Sequence, residues 1–183
     1  GEKVSLFATA FLATTEEQNF EATSQRFLDR TYDSHGLEIE AFSRFGDVTI
    51  NGGITWTDAE ISDDQITPAN VGNTPRRQAD FVYQVTAAYQ RNRYQVGANL
   101  IGTTDAYAQD NNELVMPGYN QFNLFAQADI AKKLTLLIGV NNLFDEFGLT
   151  ESEEGSIVAG QVNIIRARSI PGRSASVTLR YGF

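Results

Sequence analysis

The chain has no cysteine, one histidine, one methionine, one tryptophan and only four prolines among its 183 residues. Without cysteine there is no disulfide scaffold and no thiolate metal site. With His35 as the single histidine, there is no paired-histidine metal motif and no second imidazole to serve as a base. Basic charge is also scarce: 14 Lys and Arg stand against 23 Asp and Glu, a net charge of −9. That balance argues against a nucleic-acid partner, which needs a basic face for the phosphates. No run of about 18 apolar residues exists, so no helix is expected to cross a membrane. The segment Gly1-Glu2-Lys3-Val4 lacks the basic stretch, apolar stretch and small-residue cleavage site of a signal peptide, which is either absent or was removed before this numbering begins. Walker loops and nucleotide fingerprints are missing as well.

What the chain does have is glycine (15), phenylalanine (12) and tyrosine (7), arranged with a period of two. From Arg173 to Phe183 the odd positions are Ala175, Val177, Leu179, Tyr181 and Phe183, and the even ones are Ser174, Ser176, Thr178, Arg180 and Gly182. One side of such a strand is apolar and ends in two aromatics; the other is polar. The pattern recurs in Leu37–Phe45, Val48–Trp56, Phe81–Tyr89, Tyr94–Gly102, Phe122–Ile130 and Leu134–Val140. The first segment, Val4–Thr15, is apolar but ambiguous, because Phe7 and Phe11 compete with Leu6 and Leu12 for the apolar side. The total is eight strands, most of them near the roughly 10 residues that cross a bilayer at a tilt. Aromatics near the strand ends (Phe45, Trp56, Phe81, Tyr89, Tyr94, Tyr181) sit where interfacial girdles form. The mean hydropathy of −0.28 is ordinary for a soluble protein, yet a barrel with alternating lipid-facing and lumen-facing residues averages to the same value.

The connections alternate in length. Gly46-Asp47, Arg91-Asn92-Arg93 and Ala131-Lys132-Lys133 are short; the connections over 16–35, 58–77, 105–118 and 145–172 are long. Short turns on one side and long loops on the other are the habit of outer-membrane barrels. A C-terminus on the periplasmic side then puts every short turn in the periplasm and every long loop outside. Most of the acidic residues fall in the long loops, and two of the three short turns are basic. The expected fold is therefore all-β, an antiparallel transmembrane β-barrel segment of about eight long strands with short periplasmic turns and long extracellular loops.

Four sequence elements add a family resemblance. Asn142-Leu143-Phe144-Asp145, after an apolar strand, resembles the "NLFD" element near the end of TonB-dependent outer-membrane receptors. Pro171-Gly172-Arg173 resembles their "PGR" element, Leu179–Phe183 their terminal strand, and Ser34-His35-Gly36-Leu37-Glu38 an upstream strand start. The resemblance implies active import of a scarce ligand, such as an iron–siderophore complex, energised through TonB. It implies localisation in the outer membrane of a Gram-negative cell, and barrels of about 22 strands closed around a plug. Nothing here resembles the plug or the TonB-contacting segment. Residues 1–183 are thus expected to be the C-terminal portion of such a barrel, with plug and earlier strands absent. The expected partners are outer-membrane lipid, the remainder of the receptor, TonB through the missing N-terminal part, and the barrel-assembly machinery through Phe183. Two other readings stay open. A complete small eight-stranded barrel, adhesive or structural, requires the first strand to pair with the last. A soluble β-sandwich requires the apolar faces to pack on one another.

Individual residues are weighed in the same way. Asn142–Asp145 reads as a strand-end turn whose polar side chains bond local backbone. Pro171 fits the first position of a strand, where no N–H is needed. Asp110-Asn111-Asn112-Glu113 and Glu151-Ser152-Glu153-Glu154 offer oxygen ligands but lack calcium-loop spacing, so solvated loop charge is expected. Arg76-Arg77 and Arg166/Arg168 either meet an anionic ligand or balance nearby acids. Ser34 and His35 are adjacent on a strand and point to opposite faces, which removes a nucleophile–base pair. No catalytic residue, cofactor or metal is expected, and no ligand-binding residue stands out.

Overall fold

The computed structural model describes residues 3–21, 25–152, 162 and 164–182. Eight strands form one antiparallel sheet: β1 (Lys3–Glu21), β2 (Arg26–Phe45), β3 (Val48–Asp64), β4 (Phe81–Arg91), β5 (Tyr94–Thr103), β8 (Tyr119–Ala131), β9 (Leu134–Asn141) and β12 (Ser174–Tyr181), adjacent in that order. Two small hairpins lie in the long connections, β6 (Ala106–Tyr107) with β7 (Val115–Met116), and β10 (Leu149–Ser152) with β11 (Ala167–Ser169). A single turn of 3-10 helix, Pro68–Asn70, completes the elements among the described residues.

All eight expected strands are present, and their registers put the expected apolar sets on one continuous face. Directly opposed residues share a face. Across the middle of the sheet the row runs Ala8, Ile39, Ile54, Tyr83, Gly102; farther along, Val85, Leu100, Phe122 and Ala98, Leu124, Val140, Ala175 are paired in the same sense. The ambiguity of the first strand is resolved by its partner: Leu6 opposes Ala41 and Leu12 opposes His35, whereas Phe7 opposes Glu40 and Phe11 opposes Gly36. Leu6 and Leu12 therefore join the apolar face, and the two phenylalanines lie on the polar one. Phe11 reaches over Gly36 there, and Phe125 covers Gly97 in the same way. A Cβ at either glycine would lie within 2.4 Å of the ring. The aromatic supplies the contact area the glycine lacks.

The short turns are as tight as expected. Gly46 (φ 59°) and Asn92 (φ 52°) take the left-handed conformation that two-residue hairpins require.

The expected loops at 16–35 and 58–77 need correction. β1 and β2 stay paired from Lys3↔Arg44 to Glu21↔Arg26, and β3 runs on to Asp64. Much of both segments is strand. Glu16, Glu17 and Gln18 have neither apolar alternation nor high strand propensity, and it is cross-strand pairing that holds them extended, as with Glu17 opposite Arg30. Between β2 and β3 a bulge interrupts the register, Tyr32 opposing Ile61 and Thr31 opposing Asp63, so that Ser62 is the extra residue. A bulge re-aims every side chain beyond it.

The sheet is a single layer. Its apolar face is uncovered, with Leu6, Val96, Val177 and Leu179 all exposed. Among the described residues the buried apolar ones, Ile61, Ala79, Ala108, Met116 and Ile170, belong to the far end of β3 and the long connections. This arrangement does not meet the demand of a soluble sandwich, whose apolar faces must meet. Among the described residues β1 and β12 do not pair either; they are the two ends of the sheet order, so these eight strands do not close on themselves.

Candidate functional site

Polar chemistry concentrates where the long connections converge above the sheet. The bulge decides its central contact. Below Ser62, even-numbered residues of β3 such as Gly52 and Ile54 lie on the apolar face; above it, Asp64 is turned to the polar face, directly opposite Arg30. Arg30 is 7% exposed. It pairs with Asp64 at 2.8 Å and with Asp110, from the connection between β5 and β8, also at 2.8 Å. Arg76 reaches the same Asp110 oxygen at 3.2 Å. Arg30 also donates to the Tyr32 hydroxyl (3.4 Å), which donates to Glu17 (2.8 Å). Burial pulls the Arg30 guanidinium down, but its hydrogen bonds to Tyr32 and Asp64 outweigh that and hold it above its ordinary value. Burial pushes the Tyr32 phenol up, against the opposing pull of Arg30.

Asp64 is equally committed. Its Oδ1 accepts the backbone N–H groups of Ile66 (2.9 Å) and Thr67 (2.8 Å), which forms the turn after β3. Asn112 clamps Thr74 from both sides, accepting its N–H at 2.9 Å and donating to its carbonyl at 2.8 Å. Ser152, in β10, donates to the carbonyl of Ala108 at 2.7 Å, and Arg77 donates to the carbonyl of Ser152. Three connections far apart in sequence are stitched into one cap.

A second cluster closes the last connection. Asn142 is 1% exposed and sits at φ 50°. Its side chain donates to the carbonyls of Glu146 (2.9 Å) and Pro171 (3.0 Å) and accepts the Glu146 N–H (2.8 Å). Asp145 accepts the N–H of Arg173 at 2.7 Å. The two motifs that bracket this connection are thus bound to each other.

The expected site residues can now be placed. Asn142–Asp145 is the structural turn anticipated, and it reaches beyond local backbone to Pro171 and Arg173. Asp110 is not solvated loop charge: it is 7% exposed, and Arg30 and Arg76 share its carboxylate. Asn111 accepts the Glu113 N–H at 3.2 Å, a loop-internal role. Among the described residues no group of three or more His, Asp or Glu side chains is placed to hold a metal ion. Glu153 and Glu154 lie outside the described residues. Arg76 and Arg77 balance acids, Asp110 and Glu151 respectively, the latter at 3.8 Å. Arg168 pairs with Glu151 at 3.1 Å, and Arg166 lines the same open groove. Ser34 bonds the Ala13 carbonyl at 3.5 Å while His35 turns to Asp58 (3.7 Å) and the edge of Trp56, so the two part as expected. Phe183 lies outside the described residues. Sequence reasoning missed Arg30 and Asp64, whose one local sign is the lapse of alternation at Ile61-Ser62-Asp63-Asp64.

The open sheet with its apolar face, the short turns on one side and the braced loops on the other define the wall of an outer-membrane type of β-barrel. Residues 7–143 match the family model "TonB dependent receptor-like, beta-barrel", and the chain belongs to that family. No curated protein matches the sequence. Among solved structures, the siderophore receptor PiuA from Acinetobacter baumannii is similar over 96% of this chain and 26% of its own, with 18% identity and a TM-score of 0.79. The ferric yersiniabactin uptake receptor FyuA from Yersinia pestis is similar over 97% and 28%, at 16% identity and a TM-score of 0.77. The copper transporter OprC is similar over 100% and 29%, at 15% identity and a TM-score of 0.73. At these identities the likeness is one of fold. The chain spans about a quarter of the length of these structures.

Proposed function

We propose that residues 1–183 are the C-terminal portion of the β-barrel of a TonB-dependent outer-membrane receptor, which imports a scarce ligand such as a ferric siderophore. The observation that carries this is the open sheet. Eight strands end in two unpaired edges, β1 and β12, which lipid cannot satisfy. A barrel wall needs further strands between those edges, and a wall that large needs a plug to keep solute from passing freely. In this reading the uncovered apolar face meets lipid, the face with Glu38, Glu40 and Gln84 meets the plug, and the cap of braced loops stands outside the cell. TonB engages the part that precedes this chain. Phe183 serves the barrel-assembly machinery, and the receptor resides in the outer membrane of a Gram-negative cell. Import of a copper species or of a haem-like ligand would use the same wall, so ligand choice rests with the plug and the loops.

The test is the open reading frame together with transport by its whole product. An upstream stretch of several hundred residues with a plug-like domain, and iron uptake that is lost when either this gene or the TonB gene is deleted, would bear the proposal out. A frame with only a signal peptide before Gly1 would overturn it in favour of a small closed barrel, in which β1 must pair with β12.

A further inference from the structure

The cap holds more arginine than its charge balance requires. The chain's three lysines, Lys3, Lys132 and Lys133, lie at the end of the sheet with the short turns, whereas the cations in and under the cap, Arg30, Arg76, Arg77, Arg166 and Arg168, are all arginine. Lysine balances an acid as well as arginine does, but only the planar guanidinium fork fits two oxygens of one carboxylate or phosphate. Arg30 and Arg76 close on the buried Asp110. The other three line an open groove of about 410 Å³ with Glu151, Ser152 and Ala167. That volume falls in the range of small-molecule sites, roughly 300–1,000 Å³. Among the described residues Glu151 is the one carboxylate in the groove. Its two oxygens are divided: Oε2 meets Arg168 Nη1 at 3.1 Å, and Oε1 stands 3.8 Å from Arg77 Nη1, beyond hydrogen-bond reach. Arg166 forms no ion pair among the described residues. Three guanidinium groups thus face one carboxylate, a concentration of positive charge in a chain of net charge −9. Arg77 is also held there under strain. Its backbone takes a left-handed φ of 64°, with its N–H bonded to the Tyr107 carbonyl at 2.7 Å. Its guanidinium donates to the Ser152 carbonyl, while its Nε is buried without a hydrogen-bond partner. Strain of this kind persists where a side chain must be presented in one orientation.

We propose that Arg77, Arg166 and Arg168 form a docking site on the cap for a small anionic ligand, one that carries carboxylate or phosphate groups. The inference deepens the transport reading given above and rests on it. Glu151 marks the position that one oxyanion of the ligand takes, between Arg77 and Arg168. Its ion pair with Arg168, a side chain largely in water, is weakly held. A ligand with two or more oxyanions displaces it by engaging Arg77 and Arg166 as well, each through charge-assisted hydrogen bonds. A neutral ligand gains nothing from three guanidinium groups, so the groove selects by charge.

The experiment expresses the whole gene product in a Gram-negative host that lacks its own ferric-chelate receptors. Uptake of labelled iron is followed for three probes: ferric citrate and a ferric tris-catecholate, both anionic, and a neutral ferric tris-hydroxamate. Three variants accompany wild type: the pair Arg166→Gln with Arg168→Gln, the same pair changed to Lys, and Glu151→Gln. Wild type is expected to import an anionic chelate and not the neutral one. The Gln pair should raise the half-saturating concentration about tenfold, the worth of one charge-assisted contact. The Lys pair should recover only part of that, because charge returns without the fork. Glu151→Gln should lower the half-saturating concentration about threefold, since an exposed carboxylate no longer competes with the ligand. A role in charge balance alone predicts no such gain. Import of the neutral chelate on equal terms, or a half-saturating concentration unmoved by the Gln pair, would overturn the proposal. So would unchanged uptake with loss of bound lipopolysaccharide in the Gln pair, which would give the arginines to phosphates of the cell surface. Heat-modifiable migration and outer-membrane fractionation are recorded for every protein. Import of none of the three probes sinks the ferric-ligand reading itself, and this inference with it; import that ignores the arginines sinks only the site.

Discussion

The side chain of Asn142 donates a 3.0 Å hydrogen bond to the carbonyl of Pro171, so the exit of β9 is tied to the entry of β12 across the intervening connection. Its second donor bond and its acceptor bond, both to Glu146, leave no part of the buried carboxamide unsatisfied. Asn142→Asp keeps the acceptor for the Glu146 N–H and removes both donor bonds. Asn142→Gly removes all three while leaving the positive φ unstrained. Each lost bond leaves a part-buried carbonyl or N–H without its Asn142 partner, and a total near 2–3 kcal/mol is expected for either change. The check is the temperature at which the folded, fast-migrating band of the whole receptor disappears in detergent gels. An unchanged temperature for both variants would remove the latch from this account.

Arg30 is the second test. Arg30→Ala leaves Asp64 and Asp110 buried without their main partner, a loss of about 3–5 kcal/mol for the cap. Arg30→Ala with Asp110→Asn should be milder than the two changes summed. Deleting Ser62 is the control: it removes the bulge but leaves Thr31 opposite Asp63 and Arg30 opposite Asp64 in an unbroken ladder, so the pair should survive. Limited proteolysis of the connections at 65–80 and 104–118 reads both outcomes: faster cleavage is expected for Arg30→Ala and not for the Ser62 deletion, with the sheet intact in each.

Neighbouring residues of β4 test the assignment of faces. Val85 lies on the apolar face and Gln84 on the polar one. Val85→Arg puts a charge into lipid near the middle of the strand, at a cost of about 2–4 kcal/mol. Gln84→Arg puts the same charge on the lumen side and should cost little. Equal costs in a folding assay into vesicles would mean that the faces are not divided between lipid and lumen.

Asp33 provides a pH signature outside the membrane segments. The Thr14 hydroxyl, donating at 2.6 Å, and then Ser62 hold its carboxyl below the ordinary carboxylate range. A depressed folded-state value contributes stability above the unfolded value, and that contribution is lost as pH falls through the folded value, in a window below about pH 4. Because Asp33 is only partly buried, the effect belongs to its own titration and not to the melting of the barrel. Thr14→Val should raise the Asp33 midpoint toward the ordinary value in a carboxyl-resolved NMR titration, with no change at neutral pH. A midpoint that stays put would assign the depression to something else.

The strands across the apolar band were legible because period-two alternation is imposed there by two different surroundings, one on each face. Once β1 and β2 leave the band, both faces are wet, and Glu16 to Gln18 carry no pattern; only the partner strand makes them extended. The same limit hid the site. Asn142 was visible as part of a motif, yet Pro171, its partner, is 29 residues away. Arg30, Asp64 and Asp110 come from three separate segments, and the bulge that brings two of them together is a single serine with no turn signal of its own.

Among the described residues the buried apolar side chains Ile61, Ala79, Ala108, Met116 and Ile170 sit at the far end of β3 and in the cap, not on the apolar face of the sheet, and this splits the thermodynamics of the molecule. Opening the cap exposes hydrocarbon to water, so it should carry a positive heat-capacity change and respond to urea. The apolar face of the sheet trades one hydrocarbon neighbour for another and gives no such signal, its strength residing in ladder hydrogen bonds that lipid cannot replace. The protein thus has two melting behaviours, one governed by water and one by the bilayer, and cooling weakens the first while leaving the second in place.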